Sequence, residues 1–103
     1  MAQRVNSEEF YGVLGSHVLL ADFYSDSCIP CKRMSPILAE LEEEFTDVKF
    51  VKINAAYEEE LTEKYEVMSS PTLIIFVDGK EADRMHGAAS KQETESFIRR
   101  NIS

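Results

Sequence analysis

The order of apolar and polar residues along the chain predicts strands and helices that alternate. Residues 18–24 form a nearly continuous apolar run, which is typical of a central strand covered on both faces. Residues 48–53 and 72–77 are two further apolar runs of strand length, and a shorter apolar start lies around Val5. These four segments predict four strands.

Apolar residues spaced three and four apart predict helices between these strands. From Cys31, apolar residues recur at this spacing as far as Phe45, while the glutamates of residues 40–44 fall largely on the opposite face. Residues 58–65 predict a short helix that turns Leu61 inward. Both segments therefore favour helices that bury one face against a sheet.

Two pairs of residues have the spacing of a helix capping box. Asn6 is followed three residues later by Glu9, and Ser90 by Glu93, so that each pair can satisfy backbone N–H groups at a helix start. We therefore predict a first helix after Asn6 and a last helix after Ser90, the latter carrying apolar residues as far as Ile102.

The dipeptide Asp78-Gly79 sets the topology of the last part of the chain. It is a strong hairpin signal, so a fifth strand through about Met85 should return antiparallel to strand 72–77. The whole order of elements predicts an α/β fold with a central mixed five-stranded sheet flanked by four helices. With 103 residues and no linker or repeat, residues 1–103 should form a single domain.

Charge and hydropathy limit the possible partners and the compartment. The formal net charge of −8 argues against nucleic acid and anionic membranes as partners. No apolar run is long enough for a membrane span, or for the core of a signal peptide with its cleavage site. We therefore expect a cytoplasmic protein, and we expect it to be a monomer.

The two cysteines, Cys28 and Cys31, stand where strand 18–24 should give way to a helix. A thiolate at a helix N-terminus meets the positive end of the helix dipole and unpaired N–H groups, which makes Cys28 the candidate nucleophile. Their spacing lets the two sulfurs form a disulfide, and Pro30 lies where its missing N–H does no harm. The pair predicts reversible dithiol chemistry.

A metal site and an inert core pair are the alternatives to dithiol chemistry. Structural zinc takes about four Cys or His ligands, and besides the cysteines the chain has only His17 and His86. These histidines are predicted at distant strand ends and are expected to be ordinary surface or edge residues, so we expect no metal. An iron–sulfur cluster shared between two copies of the chain is a further alternative.

Several motifs match one known family in order and spacing. Cys28-Ile29-Pro30-Cys31-Lys32 is similar to a Cys-Gly-Pro-Cys-Lys motif, and Ala21-Asp22-Phe23-Tyr24 to a Val-Asp-Phe-Trp strand end. The remaining matches are Pro36 in the long helix, Lys52 in the third strand, Ser70-Pro71-Thr72 at a cis-proline loop, Asp78-Gly79 in the hairpin, and Gly87 after the last strand. On these residues the chain resembles the thioredoxin family over nearly its whole length.

The resemblance implies the thioredoxin fold and the reduction of protein disulfides through a reversible Cys28–Cys31 pair. Cys28 would be the nucleophile and Cys31 the resolving cysteine, with no cofactor bound to the chain. The implied partners are a flavin-dependent thioredoxin reductase and disulfide-containing target proteins. The resemblance also implies a cis Ser70–Pro71 peptide bond. The residues that it assigns to target binding are Ser27, Ile29, Pro30, Ser70, Pro71 and Gly87.

Three residues depart from the family pattern. The usual tryptophan before the first cysteine is Ser27, the usual glycine after it is Ile29, and the tryptophan at the end of the strand is Tyr24. Ser27 and Ile29 flank the attacking sulfur, so these changes should alter redox potential and partner choice while the basic chemistry is kept.

Asp22 is the exception in the apolar run of the central strand. An ionised carboxylate is costly to bury, so Asp22 should either take up a proton or find a cation, and Lys52 in the neighbouring strand could be that cation. We expect Asp22 to accept the proton of Cys31 through water, with Lys52 tuning it. The alternative is a carboxylate that only caps local polar groups.

Three other functions compete with a disulfide reductase. A thioredoxin-like binding module would hold a partner and use its dithiol rarely or never, and a specialised electron donor would serve one partner enzyme. An oxidase or isomerase would need an oxidising compartment. Retention of Asp22, Lys52, Pro71 and both cysteines favours the reductase.

Overall fold

In a computed structural model, residues 2–102 form a five-stranded sheet and four helices. The strands are β1 (Gln3–Arg4), β2 (Val18–Tyr24), β3 (Lys49–Asn54), β4 (Thr72–Val77) and β5 (Lys80–His86). The helices are α1 (Ser7–Val13), α2 (Ile29–Glu44), α3 (Glu59–Lys64) and α4 (Lys91–Arg99). The predicted fold class is confirmed. The predicted single domain also includes Met1 and Ser103, which lie outside the described residues.

The sheet has the order β1-β3-β2-β4-β5, so β2 is its central strand, as predicted. β2 runs parallel to β3 and antiparallel to β4, and β5 returns antiparallel to β4 through the predicted Asp78-Gly79 hairpin. In the β2–β3 ladder Asp22 lies opposite Lys52. The mixed sheet therefore places the carboxylate of β2 beside the second lysine of β3.

Alternate residues of β2 serve two separate cores, because successive side chains of a strand point to opposite faces. Val18 and Leu20 pack with apolar residues of α2 and α4, including Met34 and Phe97. The intervening residues of β2 pack with α1 and α3 on the other face of the sheet. Asp22 is even-numbered like Leu20, so it belongs to the face that α2 covers.

The helices α1 and α4 begin at the predicted caps, whereas α4 ends before the predicted last residue. Asn6 and Glu9, and likewise Ser90 and Glu93, form reciprocal capping boxes. The last helix ends at Arg99, so Ile102 is not helical, although it still packs against the core between α2 and α4. The Asn101 side chain donates to the Phe97 carbonyl and to Asp83 of β5, and these bonds hold the turn that follows α4.

Candidate active site

The cysteines lie at the start of α2, as predicted. Cys28 is the N-cap residue, and Ile29 and Pro30 begin the first turn. The Cys31 backbone N–H donates to Cys28 Sγ at 3.1 Å. The two residues form a disulfide, with their Cα atoms 5.2 Å apart. One of the free N–H groups of the helix start therefore points at the Cys28 sulfur, which is the arrangement that stabilises a thiolate there.

Exposure distinguishes the two cysteines. Cys31 is buried, with 5% of its surface exposed, whereas Cys28 is half-buried. Ser27 is exposed on one side of Cys28, and on the other side Ile29 is 64% exposed while Pro30 is half-buried. Cys28 is therefore the sulfur that an incoming disulfide can reach first.

The loop before β4 contains the cis Ser70–Pro71 peptide bond that the resemblance implied. Pro71 is buried and its carbonyl accepts a hydrogen bond from the Gly87 N–H at 2.8 Å, while Ser70 is half-buried. Gly87 has a φ of +80°, a conformation that side chains rarely adopt. Residues 70–71 and Gly87 therefore lie side by side where β4 begins and β5 ends.

The proline loop and the cysteine loop meet at Ser25. An open cleft is lined by Ser25 together with Met68, Ser69 and Ser70. Ser25 also lines a second open cleft, which contains Cys31. The two clefts therefore adjoin along the loop that connects β2 to Cys28, and the predicted target-binding residue Ser70 lines the first of them.

Asp22 is buried beneath α2, and its environment matches the predicted one. It is 5% exposed, and its Oδ1 atom has no hydrogen-bond partner among residues 2–102. Burial raises the pKa of Asp22 to about 6, and the nearby Lys52 ammonium opposes that rise. A carboxyl with this pKa can exchange a proton near neutral pH.

Lys52 is placed differently from a simple salt-bridge partner. Its Nζ atom lies 4.6 Å from the centre of the Tyr24 ring, a cation–π contact. Within residues 2–102, no ion pair of 4.0 Å or less joins Lys52 to Asp22. Tyr24 was noted in the sequence only as a departure from a family pattern. Its position two residues after Asp22, on the same strand face, was the signal for this contact.

Two cavities share Ser35 and Lys52 in their linings. The first is a small, partly open cavity of about 20 Å³ whose lining includes Asp22, Ser35, Lys52 and Leu38. The second is the open cleft of about 160 Å³ that contains Cys31, and Ser35 and Lys52 line it as well. Sequence reasoning missed Ser35. Its signal was its spacing of four from Cys31, which puts both residues on one face of α2.

A carboxylate that sequence reasoning missed also lines the open cleft. Asp26 follows β2 and is exposed. Its Oδ2 accepts a hydrogen bond from the side chain of Asn54, which is buried at the end of β3. The backbone N–H groups of Ala56 and Tyr57 donate to the other end of the Asn54 side chain. Asn54 therefore ties the loop before the cysteines to the loop after β3.

The histidines are surface and edge residues, as predicted. His17 is exposed and contacts Asp78 at 2.7 Å, and His86 ends the edge strand β5, where it contacts Thr72 at 3.2 Å. Residues 2–102 contain no group of three or more His, Cys, Asp or Glu side chains that could hold a metal ion. In the same part of the chain, no helix is long and apolar enough to cross a membrane.

Comparison with known proteins finds similarity over almost the whole chain. The family model described as Thioredoxin matches residues 2–100. A thioredoxin of Chlamydia caviae is 39% identical over 99 residues, which cover 96% of this chain and 94% of that protein. A thioredoxin of Chlamydia pneumoniae is 37% identical over 98% and 99% of the two chains. The solved structure of a Plasmodium falciparum thioredoxin superposes with a TM-score of 0.91 at 27% identity, covering 96% and 98%.

Proposed function

The chain belongs to the thioredoxin family and is a thiol-disulfide oxidoreductase, and we propose that it acts as a reductant in which Cys28 attacks and Cys31 resolves. One observation supports this division of roles. The Cys28 sulfur is half-buried at the N-cap of α2 and accepts the Cys31 N–H, whereas Cys31 itself is buried. The start of α2 therefore favours the thiolate form of Cys28, and the burial of Cys31 keeps that residue from attacking the target first.

The reaction transfers two electrons from the dithiol to the target. The Cys28 thiolate attacks one sulfur of a target disulfide, a new S–S bond forms, and the other target sulfur leaves as a thiolate. Cys31, once deprotonated, attacks Cys28 Sγ in this mixed disulfide. The intramolecular disulfide forms, and the second target sulfur leaves as a thiolate. The target is reduced and the pair is oxidised.

We assign the proton of Cys31 to Asp22. The Asp22 Oδ1 atom is buried without a partner among residues 2–102, and the adjoining cavity of about 20 Å³ has room for about one water. A carboxyl whose pKa is raised to about 6 is a better proton acceptor for a thiol than one at its ordinary value. The positive charge of Lys52 limits this rise in the pKa of Asp22, so part of the Asp22 population stays ionised at neutral pH.

Target binding is assigned to the proline loop, Gly87 and the residues that flank Cys28. An extended target segment would lie along the Ser70–Pro71 loop and Gly87, in the manner of an added strand. Ser27, Ile29 and Pro30 would contact the target on the other side of Cys28. The exposure of Ser27 and Ile29 supports this assignment, since both side chains are available to a partner.

Each turnover leaves the Cys28–Cys31 disulfide, so an external donor must return two electrons. We propose a flavin-dependent thioredoxin reductase as that donor and disulfide-containing proteins as targets. We further propose the cytoplasm as the compartment, because a reductant is useful where the glutathione and thioredoxin pools keep thiols reduced. A monomer suffices for this chemistry, since both cysteines belong to one chain.

A specialised electron donor to one enzyme is the second candidate. The observation that favours it is Ile29, an apolar side chain that is 64% exposed beside the attacking sulfur. Such a side chain suits a partner with a matching apolar pocket.

Turnover of insulin disulfides tests the reductase function. The wild type, supplied with dithiothreitol as electron source, should accelerate the precipitation of insulin chains, and Cys28→Ser should abolish the acceleration. Using dithiothreitol makes the assay independent of any reductase. A wild type without turnover would contradict the reductant role and favour the binding module.

A further inference from the structure

Asp22 and Cys31 line different cavities, so a proton that moves from Cys31 to Asp22 must cross from one cavity to the other. The small cavity is lined by Asp22 and the open cleft by Cys31. The residues that line both are Ser35 and Lys52. A group at this junction can connect the resolving cysteine to the buried carboxyl.

Of these two residues, only Ser35 can pass a proton on. A hydroxyl donates one hydrogen bond and accepts two, so it can take a proton from one side as it gives its own to the other. A lysine ammonium has three donors and no acceptor, so a charged Lys52 cannot receive a proton. Lys52 is also held over the Tyr24 ring.

Ser35 borders both cavities, and its hydroxyl is weakly engaged. It lies one helical turn after Cys31 and donates to the Cys31 carbonyl at 3.4 Å, a long distance for a bond between oxygens. The hydroxyl can therefore turn away from that carbonyl at little cost. On the other side, the Asp22 Oδ1 atom, unpartnered among residues 2–102, is available as the acceptor at the end of the path.

We propose that Ser35 is a positioning residue that relays the proton of Cys31 to Asp22 during the resolving step. The Cys31 S–H proton passes to the Ser35 hydroxyl, with a water where the gap requires one, and the hydroxyl's own proton passes to the Asp22 carboxylate. The net change is Cys31 thiol plus Asp22 carboxylate to Cys31 thiolate plus Asp22 carboxylic acid, with the serine restored. The relay rests on the proposed role of Asp22 as proton acceptor.

The test compares Ser35→Ala, which removes the hydroxyl, with Ser35→Thr, which keeps it. Reduced protein is mixed with excess peptide disulfide, quenched with acid and alkylated, and the conversion of mixed disulfide to the Cys28–Cys31 disulfide is followed by mass spectrometry. Ser35→Ala should slow this step about tenfold at pH 7, less than the roughly hundredfold loss expected for a removed acid–base group, because solvent can still take the proton. Ser35→Thr should stay within about threefold of the wild type.

The pH profile separates a relay from a packing effect. In the wild type the rate of resolution should rise as Asp22 ionises. In Ser35→Ala the proton must go to solvent, so the rate should rise instead across the ordinary thiol range, near about pH 8.5. Ser96→Ala, on α4 and away from both cavities, controls for loss of a helical hydroxyl and should leave the profile unchanged.

The Asp22→Asn background distinguishes failure of the relay from failure of the proposed acceptor. If Asp22→Asn slows resolution, adding Ser35→Ala should slow it less than about twofold further, because both residues act in one path. A full tenfold loss in that background would overturn the relay. An unchanged Ser35→Ala profile beside a slowed Asp22→Asn would overturn the relay and leave the acceptor role standing. An unchanged Asp22→Asn rate would overturn both.

Discussion

Asp22 and Lys52 lie opposite each other in the β2–β3 ladder, but the Lys52 ammonium rests over the Tyr24 ring instead of forming an ion pair with the Asp22 carboxylate. The carboxyl is thus buried near a positive charge that it does not touch. Burial therefore prevails over attraction, and the pKa of Asp22 is raised to about 6. The cost of this placement falls on the stability of the fold, which leads to the first prediction.

Asp22→Asn should stabilise the protein at neutral pH. The pKa of Asp22 is 3.8 in the reference state and about 6 in the folded protein. The folded state therefore binds more protons between these values, and the free energy of unfolding falls as pH rises from about 4 to about 6. A shift of about two units corresponds to roughly 3 kcal/mol above pH 7. Urea unfolding measured at several pH values checks this.

The control for this prediction lies within the same pH series. Below about pH 3, where Asp22 is largely protonated in both states, the Asp22→Asn variant and the wild type should have nearly equal free energies of unfolding. Above pH 7 the variant should be the more stable and the slower to resolve mixed disulfides. A variant that is less stable at pH 7 but resolves at the wild-type rate would show that Asp22 is only structural.

Lys52→Met should raise the pKa of Asp22 further. The substitution keeps the apolar stem and removes the charge that opposes the effect of burial. The pH dependence of the resolving step should move to higher pH, and the Asp22 carboxyl carbon, followed by NMR, should titrate there as well. Lys49→Met is the matched control, because Lys49 is exposed on the same strand. If both variants titrate alike, Lys52 has no specific effect on Asp22.

Ser27→Trp combined with Ile29→Gly should change partner use more than dithiol reactivity. Ser27 and Ile29 are the chain neighbours of Cys28, and both are exposed. The N–H group that contacts the Cys28 sulfur belongs to the backbone of Cys31, which these substitutions do not remove. Turnover with a flavin-dependent reductase that serves the common Trp-Cys-Gly-Pro-Cys motif should rise about tenfold or more, as expected for a restored contact of high energy. Reduction of a small-molecule disulfide should change less than about threefold.

This prediction is decided by comparing the change in turnover with the reductase to the change in the rate of small-disulfide reduction. Glycine at the first helical position costs stability of up to about 1 kcal/mol, so urea unfolding of the double variant serves as the control for folding. Equal factors for the reductase and the small disulfide would mean that Ser27 and Ile29 tune the dithiol itself.

The site was predictable where chain-local patterns determine it. The apolar run that ends at Tyr24 and the periodic pattern after Cys31 require a strand, a turn and a helix, and this order places Cys28 at the N-cap. Asn6 and Ser90 were predictable helix starts for a similar reason, because a capping box acts within four residues.

Contacts between distant elements were not predictable in this way. Periodicity does not tell whether β4 runs parallel or antiparallel to β2, whereas the antiparallel return of β5 followed from its hairpin. A long lysine side chain has many rotamers, and the choice of the Tyr24 ring over Asp22 is made by the packed structure. Ser35 gains its place between two cavities only when α2 lies on the sheet.

The division of roles between Cys28 and Cys31 is the central claim, and trapping of the mixed disulfide tests it most directly. Cys31→Ser and Cys28→Ser are each incubated with the same peptide disulfide near pH 7, and the covalent adducts are measured by mass spectrometry without reductant. Cys31→Ser should accumulate one mixed disulfide on Cys28, since the half-buried sulfur at the helix start attacks and no thiol remains to resolve it. Cys28→Ser, whose remaining thiol is 5% exposed in the parent structure, should react far more slowly. Faster adduct formation by Cys28→Ser would contradict the account.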